Sequence, residues 1–164
     1  MRKVVFYFMF LVPILSFGQS KSIEQLGKKL TEALSLNDPA HFKSLIIPRD
    51  SLLAFFSNDT STTLAQKQLQ MEFMNQQYDS QFVAMFMLNY KVLQRKIELF
   101  NIDFDDIILE EFFVTTPEQK PLHVVHGSIT NSTFHHLYFY PIQYNEYYYL
   151  VNPLVEVRDS ELEF

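Results

Sequence analysis

From Thr63 to Phe100 the chain contains neither glycine nor proline. These are the residues that most often interrupt a helix, so this interval limits the fold more than any single motif does. Within it Met71, Met74, Tyr78, Phe82, Met85, Asn89, Val92, Lys96 and Leu99 or Phe100 recur every three or four positions. Phe73, Phe86, Leu88, Leu93 and Ile97 stand beside them and widen the stripe. The spacing predicts one long helix, or two with a bend near Asp79-Ser80, covered on more than one side. Asn101 tolerates the left-handed conformation that ends helices and is the predicted stop.

Shorter helices precede it. Ser22, with Gln25 three residues on, has the form of a capping box. Ile23, Leu26, Leu30, Ala33 and Leu34 then predict a helix to about Leu36. Asp38-Pro39 is a cap followed by a first-turn proline, where the missing N–H costs nothing. The helix it opens ends by Pro48, and Arg49 or Asp50 opens another through Phe56. Residues 58–63 are polar cap formers that read as a loop.

After Asn101 the character changes to Val, Ile, Thr, Tyr and Phe. Four strands are expected, at 107–116, 122–130, 133–142 and 146–157, joined by short connections. Helices followed by strands predict an α+β fold: N-terminal helices, one of them long, packed on a four-stranded antiparallel meander sheet.

The start of the chain reads as an address. Arg2 and Lys3 precede an apolar run from Val4 to Leu15, and Ser16-Phe17-Gly18 places small residues where a signal peptidase selects. Residues 1–18 are therefore expected to be a secretory signal peptide, with residues 19–164 forming a single domain in the periplasm or outside the cell. The apolar run is shorter than the ~20 residues that span a bilayer. The chain of 164 residues contains no cysteine, so a lipid-modified cysteine, disulfides and thiolate metal sites are all excluded. A soluble mature protein without a stable membrane anchor is expected. Loss of Arg2 and Lys3 makes a net charge of −6 more negative still, which argues against a nucleic-acid partner.

The order of small helices, one long helix, an aspartate-rich link and a run of strands resembles the cystatin-like or NTF2-like α+β fold. The stretch from Glu98 to Ile107, Glu-Leu-Phe-Asn-Ile-Asp-Phe-Asp-Asp-Ile, and the Phe-rich leader ending Phe-Gly-Gln resemble small exported Bacteroidetes proteins of unknown function. The resemblance implies a curved antiparallel sheet wrapped around a helix. It carries no activity, because such folds host many.

Chemistry-bearing clusters are sparse. His123 and His126 fall on one predicted strand and His135 and His136 on the next. A two-residue turn at Asn131-Ser132 would set His126 and His135 one diagonal step apart on one face. Two imidazoles begin a metal site, but no third ligand stands nearby in sequence, and no metal is expected. Asp103, Asp105 and Asp106 lack the spacing, glycine and closing Glu of a calcium loop and read as a solvated link. An acid–base site would draw on Asp103 with Tyr138, Tyr140 or Tyr148, though their spacing does not distinguish them from ordinary sheet residues. Gly27 and Gly127 are the only glycines after the leader, too few for a phosphate cradle. Neither catalytic residues nor a cofactor are expected.

The aromatic excess is concentrated late in the chain. Phe134, Tyr138 and Tyr140 share one strand face by alternation, and Tyr147 and Tyr149 share one face of the next strand. These five are the candidate ligand-binding residues, since tyrosine presents an apolar body with a polar tip. The partner expected is a small molecule, a sugar or a protein. Three readings follow: a non-enzymatic binding domain, a small enzyme with a pocket between sheet and long helix, and a homodimer pairing two sheets.

Overall fold

The computed structural model describes residues 19–60, 62–102, 104, 108–115, 124–130, 135–153 and 155–159. The expected leader, Asp103, Asp105, Asp106, His123 and Phe134 lie outside the described residues. The architecture is α+β, with helices first and strands after.

Helix α1 (Ile23–Ser35) starts where Ser22 Oγ accepts the Gln25 N–H, and it buries Leu26, Leu30, Ala33 and Leu34 along one stripe. The capping box is shifted by one residue: the Gln25 side chain accepts from the Lys21 N–H rather than from Ser22. Asn37, at φ 49°, turns the chain, and Asp38 accepts from the Ala40 and His41 amides to open α2 (Pro39–Ser44). Helix α3 (Arg49–Asn58) follows Pro48.

Helix α4 (Leu64–Gln77), a π-helical segment (Tyr78–Val83) and α5 (Ala84–Phe100) run on without a break. The result is one helical body of 37 residues that ends at Asn101, at φ 49° and ψ 49°. Of the two alternatives, the structure has one continuous helix, and a π segment lies where the bend near Asp79-Ser80 was considered. A π turn holds about one residue more than an α turn, so it rotates everything after it relative to everything before.

This rotation changes the predicted stripe. Met74, Tyr78, Phe82, Phe86, Tyr90, Leu93 and Ile97 face or pack on the core. Met85, Val92 and Leu99, expected on the same stripe, are exposed, as are Phe73 and Leu88. The expectation of cover on several sides thus fails for the outer face. The inner face is also tied by polar side chains. Asn89 Nδ2 donates to the Val155 carbonyl at 2.6 Å, and Gln94 Nε2 donates to the Leu34 carbonyl at 2.8 Å. The Tyr90 hydroxyl donates to Asn37 Oδ1 at 2.9 Å. The last two fasten the long helix to the C-terminal end of α1 and the turn after it.

Six strands are described: β1 (Ile108–Thr115), β2 (Val124–Thr130), β3 (His135–Phe139), β4 (Pro141–Tyr144), β5 (Tyr147–Leu150) and β6 (Glu156–Asp159). β4 and β5 form a small two-stranded antiparallel sheet. The remaining strands pair in the order β1-β2-β3-β6, each pair antiparallel. The expected meander of four consecutive strands is not shown. The predicted strands at 133–142 and 146–157 each divide in two, and the inner halves leave to pair with each other. Pro141 explains the first division, because it brings no N–H to continue the β3 ladder.

The β4–β5 turn has Asn145 at φ 47° and Glu146 at φ 68°. Positive φ at both central residues is what a tight two-residue hairpin turn requires. The free edge of β5 is occupied by two other segments. Its Tyr148 N–H donates to the Ser20 carbonyl at 2.7 Å, and its Leu150 N–H donates to the Leu45 carbonyl at 2.8 Å. The Ile47 N–H returns a bond to the Leu150 carbonyl at 3.0 Å. The link between α2 and α3 is therefore bonded into the small sheet, and Leu45, Ile46 and Ile47 are buried there.

Candidate functional site

The aromatic residues of the last strands divide between two environments. On β3, Leu137 and Phe139 are fully buried, while the alternating His136 and Tyr138 and the following Tyr140 are half-buried. His136 and Tyr138 are neighbours, with ring centroids 6.1 Å apart at 40°. Tyr138 pairs across the backbone with Ser128 on β2 and Glu156 on β6. Tyr140 stands between β3 and β4, where its carbonyl accepts from the Val151 N–H at 3.3 Å. This outer face of β3, backed by an apolar inner face, is the described aromatic surface nearest to the one expected.

The other candidates lie elsewhere. Tyr147 is half-buried against the core, and Tyr149 is a core residue that leaves only 5% of its surface exposed. Tyr149 pairs with Ile142, and both side chains turn inward. Burial pushes its phenol above the ordinary tyrosine range, Tyr147 adds to this, and a hydrogen bond from Gln19 works against it. Tyr138 thus lies on β3 and Tyr140 just past its end, Tyr147 belongs to the separate hairpin, and Tyr149 is buried.

The histidine geometry also changes. β2 and β3 pair as Thr130 with His136, Ile129 with Leu137, and Ser128 with Tyr138. The register is three residues away from the one a turn at Asn131-Ser132 would impose. His126 now stands opposite Phe113 on β1, and His135 opposite Asp159 on β6. The two histidines expected to approach one another hold unrelated register positions. Among the described residues no three His, Asp or Glu side chains converge.

The acid–base reading asks for a buried carboxylate or imidazole beside a tyrosine. Among the described residues the buried polar side chains are Ser20, Thr31 and Asp59, and Asp59 is the residue that ends α3. The buried tyrosines have structural partners instead. Tyr78 donates its hydroxyl to the Ile47 carbonyl at 2.6 Å, and burial with Asp79 alongside pushes it up to about 12 against the pull of Arg49. Tyr90 is raised by burial and by Asp38, opposed by the Gln94 hydrogen bond. At neutral pH both remain protonated donors that join the long helix to the rest of the body.

One surface was not read from the sequence: the outer apolar face of α4 and α5. The signal was present in the width of the stripe, which exceeds what one buried face uses. Assigning the excess required the phase change at Tyr78–Val83. Among the described residues no helix is long and apolar enough to cross a membrane. No protein-family model, no curated protein and no solved structure matches the chain.

Proposed function

We propose that the chain is an exported domain that binds a sugar or peptide without chemical transformation, through the outer face of β3. The observation that carries this is the ring contact of half-buried Tyr138 with His136 on a strand whose other face is core, with half-buried Tyr140 just past the strand's end. His136, Tyr138 and Tyr140 each combine an apolar ring with a polar group, a combination that suits sugar rings and peptide groups. The leader pattern at residues 1–18 supports export to the periplasm or beyond. The order of helices and strands supports a cystatin-like or NTF2-like sheet lying on the long helix, and the Asn89 bond to Val155 ties that helix to the chain entering β6.

The test is a titration of the folded chain with panels of oligosaccharides and short peptides, followed by backbone and aromatic-ring NMR. Binding is expected to shift the resonances of Tyr138, Tyr140 and His136, and Tyr138→Ala with Tyr140→Ala is expected to abolish it. A ligand that shifts none of these, or that survives the double substitution, rejects the site. The enzyme reading lacks a favouring observation among the described residues.

A further inference from the structure

Leu69, Phe73, Met85, Leu88, Val92 and Leu99 all lie on the outer side of the long helix, and all are exposed. Leu69 keeps 72% of its surface, Leu88 66% and Leu99 77%. Steps of three and four connect Leu69, Phe73, Gln76 and Ser80, and the same steps connect Met85, Leu88, Val92, Arg95 and Leu99. The one break is the step of five from Ser80 to Met85. It falls inside the π segment, where the fifth residue returns to the starting face. With an uninterrupted α-helix the two halves would point about 100° apart, the turn of one residue. The π segment aligns them into a single seam about 45 Å long at a 1.5 Å rise per residue.

The charges along this side are not mixed. Glu72 and Asp79 stand on the first half, and Lys91 and Arg95 on the second, all exposed. Lys67 is turned away, its ammonium donating to the Ser57 carbonyl. Glu98, one turn past Arg95, is the exception. Such a face complements itself when reversed. A twofold axis near Ala84 sets Asp79 against Lys91 of a second copy and Glu72 against its Arg95. It also sets Leu69 against Leu99, and Phe73 beneath the Arg95 guanidinium, a favourable cation–aromatic contact. The small, exposed Ala84 lies at the crossing, where the backbones approach most closely.

We propose that a second copy of this chain docks antiparallel along the outer seam of the long helix, α4 of each copy against α5 of the other. The interface is isologous, so each contact occurs twice and a weak pair counts double. It is separate from the outer face of β3, and the dimer and the ligand site stand or fall independently.

The chain has no cysteine, which permits a direct test. In the full chain, Ala84→Cys is expected to form a disulfide-linked dimer under mild oxidation, while Lys28→Cys, exposed on α1, stays uncrosslinked. Light scattering of the unsubstituted chain is expected to give twice the chain mass at high micromolar concentration. Leu88→Glu is expected to return it to the monomer with its circular dichroism unchanged. Lys91→Asp is expected to weaken association about tenfold, the effect of two reversed exposed pairs. Asp79→Lys added to it should restore the original affinity. A monomer at high micromolar concentration, an Ala84→Cys chain that crosslinks no faster than Lys28→Cys, or failure of the double exchange to restore binding would each overturn the proposal.

Discussion

Helices α1 and α4 are nearly equal in length, 13 and 14 residues, and both open on a hydroxyl side chain that accepts the amide three residues on. Yet α1 buries Leu26, Leu30, Ala33 and Leu34, whereas α4 buries nothing. The apolar residues of α1 fall at spacings of four, three and one, which keep to one stripe. Those of α4, Leu64, Leu69, Met71, Phe73 and Met74, are spread around the axis. A cap decides where a helix begins, and the angular distribution of its apolar residues decides whether it is also a wall of the core. Helix α4 packs laterally against α3 and runs on into α5, whose inner face is buried.

The contrast can be tested by truncation. Leu30→Ala, in the fully buried stripe of α1, is expected to cost about 2–5 kcal/mol in urea denaturation. Leu69→Ala on α4 is expected to change the unfolding free energy of the monomer by less than about 0.5 kcal/mol. Comparable losses at the two sites would show that α4 is packed as α1 is.

Tyr78 marks the point where the exposed helix becomes an embedded one. Tyr78→Phe should cost about 1 kcal/mol, the worth of its hydrogen bond to Ile47. Its raised phenol also gives a signed pH effect. Native and unfolded states are both protonated below the unfolded value of 10.0, so stability is level there. Above it the unfolded state releases its proton first, and stability falls as pH rises toward the native value of about 12. Alkaline denaturation profiles should show a shallower decline in Tyr78→Phe; an unchanged slope would refute the assignment.

Smaller effects are expected at the local signals. Thr63 and Gln66 form a complete capping box. Thr63→Ala should cost about 1 kcal/mol, read as fraying of the α4 amides in hydrogen exchange. At the hairpin, Glu146 holds a φ of 68° that glycine adopts without strain. Glu146→Gly is expected to raise stability by about 0.5 kcal/mol, and a loss would mean the side chain has a role in the turn.

The helical half was well marked in the sequence because its signals are local. Asp38-Pro39 and the Asn101 stop each act within one turn of chain, and both fall where expected. The strand half was less legible because register depends on partners far away in sequence. Reading Asn131-Ser132 as a tight turn displaced the β2–β3 pairing by three residues and brought His126 and His135 together wrongly. Pro141 was visible, but not that it would send β4 to a separate sheet with β5. Of the aromatic candidates, alternation put Tyr138 on β3 beside buried Leu137 and Phe139, but it did not show that Tyr149 goes inward with Ile142. The outer seam was hidden by a uniform helical period carried through a π segment that no residue type announces.

The central claim is that the long helix has one face committed to the core and one face left outside it. Leu93 and Leu88 test it in a single element, being fully buried and exposed on the same helix α5. Equilibrium urea denaturation of Leu93→Ala and Leu88→Ala, at a concentration where the chain is monomeric, compares them directly. A loss of about 2–5 kcal/mol is expected for Leu93→Ala and less than about 0.5 kcal/mol for Leu88→Ala. Equal losses at the two positions would contradict it.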